Sequence, residues 1–178
     1  MRLSTLARVA LGLTSIVAVL GLPRAAGAQA APQRGRPLAA FSVLAPDGRE
    51  VPGTGMSSEP RWLLVYVKPG AVATDRLIAA LGRWDLPADA LKRLVLIVEG
   101  PVEQASEYLA PRLTADVAFR WYADPGGRAA RALGFAEAPA FQGVAGGEVS
   151  WTLTGVLGDP DAYESVVRAG IGAPAAAR

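Results

Sequence analysis

The sequence predicts a single α/β domain built around a mixed, partly parallel β-sheet. Two continuous apolar runs, residues 62–67 and 94–98, have the composition of strands that are buried on both faces. An amphipathic helical pattern follows each run, and this alternation of strand and helix is typical of parallel sheets. Two later strand patterns, separated by Ala-Gly-Gly at 145–147, predict an antiparallel hairpin.

The individual elements follow in a regular order. Residues 41–53 predict a short hairpin, because Asp47 and Gly48 supply turn geometry between apolar positions. After the strand at 62–67, apolar residues recur at helical spacing as far as Trp84, with Thr74 or a neighbour as the N-cap. The other predicted elements are a strand at 94–98, a helix at 101–113, a strand at 119–124, a helix ending at Gly134, strands at 138–144 and 148–156, and a closing helix that begins with Asp159 and Pro160.

The first thirty residues have the pattern of an export signal. Arg2 and Arg8 precede an apolar stretch at 9–22, and small residues up to Ala30 form a cleavage site. The apolar stretch is shorter than the roughly 20 residues of a membrane-spanning helix, so we predict cleavage after Ala30 and no stable membrane insertion afterwards. We expect the protein to be periplasmic or secreted. The predicted organisation is a signal peptide at 1–30, a flexible tether at 31–37, a folded domain at 38–172 and a disordered tail at 173–178.

The charge balance excludes one class of partner. The full chain carries 18 basic and 16 acidic residues, and the predicted signal contains three of the arginines and no acid. The remaining chain is therefore close to neutral, with one more acidic than basic residue. Nucleic-acid binding depends on clustered Lys and Arg, so we expect no nucleic-acid partner.

The sequence contains neither cysteine nor histidine. Disulfides, thiol redox chemistry and thiolate metal sites are therefore excluded, and the commonest general base is missing. The acidic pairs Asp159 with Asp161 and Asp116 with Asp124 lack the dense series of oxygen ligands that calcium requires. We expect no metal site, no cofactor and no catalytic residue.

Three segments in this order resemble the exported, TlpA-type thioredoxin family. They are WLLVYVKPGAVATDRL (62–77), DPGGRAARALGFAEAPAF (124–141) and GGEVSWTLTGVLGDPDAYESVV (146–167). The resemblance covers residues 38–172. It implies a thioredoxin-like three-layer sandwich with a mixed central sheet and an N-terminal β-hairpin.

The same resemblance implies where a site would lie. The two cysteine positions of the family's Cys-x-x-Cys loop fall on Ala71 and Thr74, and the family's cis-proline falls on Pro139. Val65 occupies the strand position at which many thioredoxins carry a buried aspartate. The implied binding face consists of the loop, the second cysteine position and the proline with its neighbour: Lys68, Pro69, Gly70, Ala71, Thr74, Ala138 and Pro139.

These observations predict a binding module without thiol redox activity. Its expected partner is another exported protein or an extended peptide, held by backbone hydrogen bonds that need no thiol. One alternative is an enzyme that uses carboxylates, a bound cofactor, or Lys68 activated by burial. A second alternative is a structural accessory subunit of an exported complex.

Overall fold

The structure, a computed structural model, describes residues 29–31, 35–113, 119–155 and 160–172. The strands are β1 (Gln29–Ala31), β2 (Arg36–Pro37), β3 (Ser42–Leu44), β4 (Glu50–Pro52), β5 (Arg61–Val67), β6 (Leu94–Glu99), β7 (Arg120–Asp124), β8 (Ala140–Ala145) and β9 (Glu148–Thr154). The helices are α1 (Val72–Leu81), α2 (Ala88–Leu91), α3 (Val102–Leu109), α4 (Arg128–Leu133) and α5 (Pro160–Ile171).

The strands form one mixed sheet in the order β1-β9-β8-β5-β6-β7-β3-β4, with β2 also paired to β9. Strand β5 lies in the middle, parallel to β6 and antiparallel to β8. All its residues after Arg61 are buried, because layers of side chains cover both faces of the sheet. This explains why the sequence of β5 is continuously apolar rather than alternating.

Helices and loops cover the sheet on both sides. One core cluster contains Leu63 and Val65 of β5 with residues of α1, α3 and α5, and the other contains Leu64 and Tyr66 with residues of α4 and the β3–β4 hairpin. Alternate residues of one strand therefore enter different cores. The result is a three-layer sandwich with an N-terminal hairpin, and the predicted fold class is confirmed.

Two helix boundaries differ from those predicted. The N-cap of α1 is Ala71, so the prediction of Thr74 or a neighbour was wrong: the preceding turn ends at Ala71 and the helix begins at once. Helix α3 ends at Leu109 instead of 113, because Pro111 has no N–H with which to continue the helical hydrogen bonds.

Three short elements were not predicted. Helix α2 has only four residues, and β1 and β2 lie where the sequence indicates the signal cleavage site and the tether. Asp159 and Asp116, the predicted cap and one member of a predicted acidic pair, lie outside the described residues, as does the apolar stretch at 9–22. Within the described ranges, no helix combines the length and hydropathy needed to cross a membrane.

Close contact between β8 and β9 gives a stability prediction. A Cβ atom on Gly143 would lie 2.6 Å from Cε2 of Trp151, so Gly143→Ala forces the indole or the strand to move. We expect a loss of about 1–3 kcal/mol in the free energy of unfolding, measured by urea denaturation. Gly55→Ala is the matched control, since its Cβ would meet nothing closer than 3.4 Å. Equal losses in both variants would contradict this packing.

Candidate functional site

The β5–α1 loop, residues 68–71, is a tight turn at the end of the central strand. The Ala71 N–H donates to the Lys68 carbonyl at 3.3 Å, and Gly70 has φ of 82°. Proline at the second position and a positive φ at the third identify a type II turn, which explains the Pro-Gly pair. The turn delivers the chain directly into α1.

Thr74 fastens this loop from within the helix. It is fully buried, and its Oγ1 accepts a hydrogen bond from the Lys68 N–H at 3.4 Å. The hydroxyl therefore satisfies the first backbone donor after β5. Thr74 supports the loop but offers no surface to a ligand.

Pro139 lies at the same end of the sheet. Strands β5 and β8 pair with Tyr66 opposite Ala140, so the next step along both strands brings Val67 level with Pro139. The Ala138–Pro139 bond is cis, and Pro139 itself is buried. In the described part of the chain, neither the N–H nor the carbonyl of half-buried Ala138 makes a backbone hydrogen bond.

The structure thus brings all seven residues of the implied face to one end of β5 and β8. We call this surface the loop face: Lys68, Pro69, Gly70, Ala71, Thr74, Ala138 and Pro139. Lys68 and Gly70 are exposed, Pro69 and Ala71 are half-buried, and Thr74 and Pro139 are buried beneath them. Next to the loop, Val72 is 65% exposed, and it is the one large hydrophobic side chain exposed among the described residues.

A polar cluster lies beneath the loop, on the side of the sheet facing α4. The Tyr66 hydroxyl is 3.1 Å from Asp124 Oδ2 and 3.3 Å from Glu99 Oε2, so its proton is shared between two carboxylates. Asp124 is fully buried and also accepts hydrogen bonds from the N–H groups of Ala129 and Ala130. This carboxylate therefore joins the ends of β5 and β7 to the beginning of α4, and Glu99 adds the end of β6 through the Tyr66 hydroxyl.

Lys68 is connected to this cluster at the surface. Its Nζ lies 3.1 Å from Glu99 Oε1, and the lysine side chain is 58% exposed. Activation of an amine requires desolvation, which this exposure does not provide. The geometry makes Lys68 a solvated, ion-paired residue at the edge of the loop face.

Tyr66 acts as a proton donor in this cluster. Burial raises the pKa of its phenol above the usual range, and the negative charges of Asp124 and Glu99 raise it further. The phenol therefore stays protonated over the physiological pH range. Its role is to hold two carboxylates together, since a nucleophile or general base would need a lowered pKa.

The remaining sequence candidates do not form a site. Gly126 and Gly127 precede α4, a position at which backbone amides can bind an anion, but the Asp124 carboxylate already accepts hydrogen bonds from the Ala129 and Ala130 amides of this helix. Within the described residues, no group of three or more acidic side chains is arranged to hold a metal ion. Asp116 and Asp159, one member of each acidic pair in the sequence, lie outside those residues.

Sequence reasoning missed Tyr66, Glu99 and Asp124 as a unit. Glu99 and Asp124 are the last residues of adjacent parallel strands and are paired in the register of β6 and β7. The carboxyl ends of parallel strands meet at one edge of a sheet, and polar residues at that edge often form sites. Applied to the strands predicted at 94–98 and 119–124, this rule would have pointed to Glu99 and Asp124 as neighbours at one edge of the sheet.

Alkaline titration should report on the buried phenols. Burial raises the pKa of Tyr66 and of Tyr108, which donates to Asp75 at 2.7 Å. Above the ordinary tyrosine pKa of about 10, the folded chain binds more protons than the unfolded chain, so stability falls as pH rises. We expect Tyr66→Phe to show a smaller loss than the unsubstituted chain between about pH 9 and pH 11. Equal losses, measured by urea denaturation, would contradict the assignment.

A cysteine pair should test the loop geometry. Ala71→Cys with Thr74→Cys places two thiols at the N-cap and third position of α1, within the Cα separation of about 4.4–6.8 Å that a disulfide requires. We expect mild oxidation to join this pair in a disulfide. Mass spectrometry after treatment with a thiol-alkylating reagent should then show no added alkyl groups. Ala71→Cys with Ala79→Cys is the matched control, because a helical rise of about 12 Å separates those positions. A pair that stays reduced would show that the loop is arranged differently.

Comparisons with solved structures identify the fold. DsbF of Mycobacterium tuberculosis, solved in mixed oxidised and reduced forms, is 20% identical, with 72% of this chain and 93% of that chain covered and a TM-score of 0.55. A Chlorobium tepidum protein described as thiol:disulfide interchange protein DsbE is 16% identical, with 80% and 100% covered and a TM-score of 0.60. The peroxidoxin BcpB of Mycobacterium tuberculosis is 12% identical, with 78% and 95% covered and a TM-score of 0.60.

The sequence alone gives no such match. No protein-family model matches the chain, and no curated protein matches it significantly. At these identities the structural likeness establishes architecture and leaves chemistry open. The chain has a thioredoxin-like fold, similar to that of DsbE-type oxidoreductases, and contains no cysteine.

Proposed function

We propose that this protein is an exported binding module that holds an extended segment of another exported protein against the loop face. The observation that carries the proposal is the combination of a hydrogen-bonded loop with exposed, unreactive groups above it. The loop turn, the buried Thr74 hydroxyl and the ion pair of Lys68 fix the shape of this face. A fixed face loses little conformational entropy when it binds a ligand.

The loop face offers the two kinds of contact that bind extended chains. Ala138 presents a backbone N–H and carbonyl that make no backbone hydrogen bond in the described part of the protein. An extended ligand that pairs with them gains affinity from its main chain, independently of its side chains. Val72 adds an exposed apolar contact beside the loop.

The charged groups support binding better than catalysis. Glu99 forms an ion pair with Lys68 and accepts a hydrogen bond from Tyr66. Asp124 is buried and accepts hydrogen bonds from Tyr66 and from the first turn of α4. Each carboxylate thus has a structural partner, whereas a general base needs a free lone pair directed at substrate. An enzyme that used Glu99 or Asp124 as a general base would first have to break these hydrogen bonds.

The accessory-subunit alternative has less support. A purely structural subunit is expected to expose a contiguous apolar patch away from the loop. Among the described residues, Val72 is the exposed large hydrophobic residue, and it lies beside the loop. Two open grooves, of about 400 and 380 Å³, border the β3–β4 hairpin, and neither is lined by residues of the loop face.

Phage display tests the proposal. Random decapeptides are displayed on phage, and those that bind the purified protein are selected. We expect the selected peptides to shift the amide NMR signals of Ala138 and the β5–α1 loop. Val72→Asp should weaken their binding about tenfold, because a charge must be desolvated at the contact. An acid in the first turn of a helix is otherwise favourable, so α1 should remain stable.

Ala79→Asp is the matched control. It places the same charge at an exposed position of α1 two turns away from the loop. We expect its peptide affinity to equal that of the unsubstituted protein. Equal weakening by both substitutions, or NMR shifts confined to other surfaces, would disprove binding at the loop face.

A further inference from the structure

The outer edge of β9 is covered by the N-terminal segment of the same chain. Gln29, Ala30 and Ala31 of β1 pair antiparallel with Thr154, Leu153 and Thr152. Farther along, β2 pairs with Val149 and Glu148, and the Leu38 N–H donates to the Gly147 carbonyl at 3.0 Å. Both ends of β9 therefore have a partner strand on each side.

This cover substitutes for the usual protection of an edge strand. Native edge strands avoid unwanted pairing by means of charged residues, proline, bulges or a covering segment. Strand β9 has such a bulge at Ser150, opposite Gly143 and Val144. Beyond it, residues 151–154 are WTLT, which contains no charge and no proline and is rich in residues that favour strands. The N-terminal segment thus protects a sequence that would otherwise pair readily with another strand.

The predicted signal cleavage site lies inside the covering strand. Cleavage after Ala30 would remove Gln29 and Ala30, so that Ala31 would be the one residue of β1 that remains. The Gly155 N–H donates to the Pro139 carbonyl of the neighbouring chain segment, so by alternation the backbone groups of Leu153 face β8 and those of Thr154 face the outer edge. After cleavage, the Thr154 groups on this edge would lose their partner, Gln29. Removal of the export signal and opening of the β9 edge are therefore the same event.

We propose that the β9 edge at Thr152–Thr154 is a second binding site, which accepts an antiparallel strand of small, uncharged residues from another exported chain. The chain's own segment shows the chemistry that fits: AGAQAA at 26–31 carries no charge and no large side chain. In the unprocessed protein, Gln29–Ala31 of this segment occupy the edge. In the processed protein the edge is open, and backbone hydrogen bonds supply the affinity. Gly155, just after β9, donates to the carbonyl of Pro139 in the loop face, but the β9 edge lies on the other side of β9 from β8. The proposed contacts on this edge therefore involve no residue of the loop face.

The test uses the full 178-residue chain in mild detergent and a fluorescent synthetic peptide with the sequence AGAQAA. In the full chain, β1 competes with the peptide at a high effective concentration. We therefore expect the full chain to bind the peptide at least about tenfold more weakly than a variant whose β9 edge is open. The edge-open variant is Gln29→Pro with Ala31→Pro, because these residues stand opposite Thr154 and Thr152 and proline removes their ladder donors. Fluorescence anisotropy measures binding, and amide hydrogen exchange at Thr152 and Thr154, whose N–H groups face this edge, reports whether the edge is open.

Three controls make the result decisive. Ala25→Pro with Ala26→Pro places the same residues outside β1 and should behave like the unsubstituted chain. A peptide with proline at the two central positions, AGPPAA, should not bind the edge-open variant. Val72→Asp, added to the edge-open variant, should leave binding of AGAQAA unchanged, which separates this site from the loop face.

Two results would overturn the proposal. In the first, the edge-open variant exchanges its β9 amides rapidly but does not bind AGAQAA. In the second, the full chain and the edge-open variant bind the peptide equally well. Slower exchange at Thr152 and Thr154 after addition of the peptide to the edge-open variant is the positive result.

Discussion

The antiparallel pairing of β5 with β8 is the constraint on which the rest of the structure depends. It places Tyr66 opposite Ala140, and so brings the end of the central strand beside Pro139. The turn that follows and the start of α1 are fixed relative to that point by the Thr74 hydroxyl. If the register slipped by one residue, the side chains of β5 would exchange cores and the loop face would not form.

Below the loop, one phenol connects elements that are distant in sequence. Tyr66 and Asp124 are 58 residues apart, and their hydrogen bond joins β5 to β7 across β6. Glu99 extends the connection to Lys68 at the surface. At this end of the sheet, the hydroxyl of Tyr66 and the carboxylates of Glu99 and Asp124 all have hydrogen-bond partners. The cluster therefore stabilises the site without supplying a reactive group.

The sequence predicts those parts of the fold that local patterns determine. Strands β5 and β6 could be identified because continuous apolar runs mark strands buried on both faces. The start of α1 could not, because Thr74 resembles an N-cap in sequence while its hydroxyl binds the Lys68 N–H instead. The contact of Tyr66 with Asp124 and the cover on β9 depend on tertiary placement, and no short sequence window contains both partners. The residues of the loop face were predicted only through the order of three family-like segments.

The buried hydroxyl of Thr74 has a further consequence for recognition. Because the helix itself holds the backbone of the loop, the loop cannot fold around an incoming chain to improve a poor fit. In the binding role proposed above, discrimination between ligands would then depend on the conformations that the ligand can adopt, and a flexible segment would fit this fixed loop better than a folded surface would.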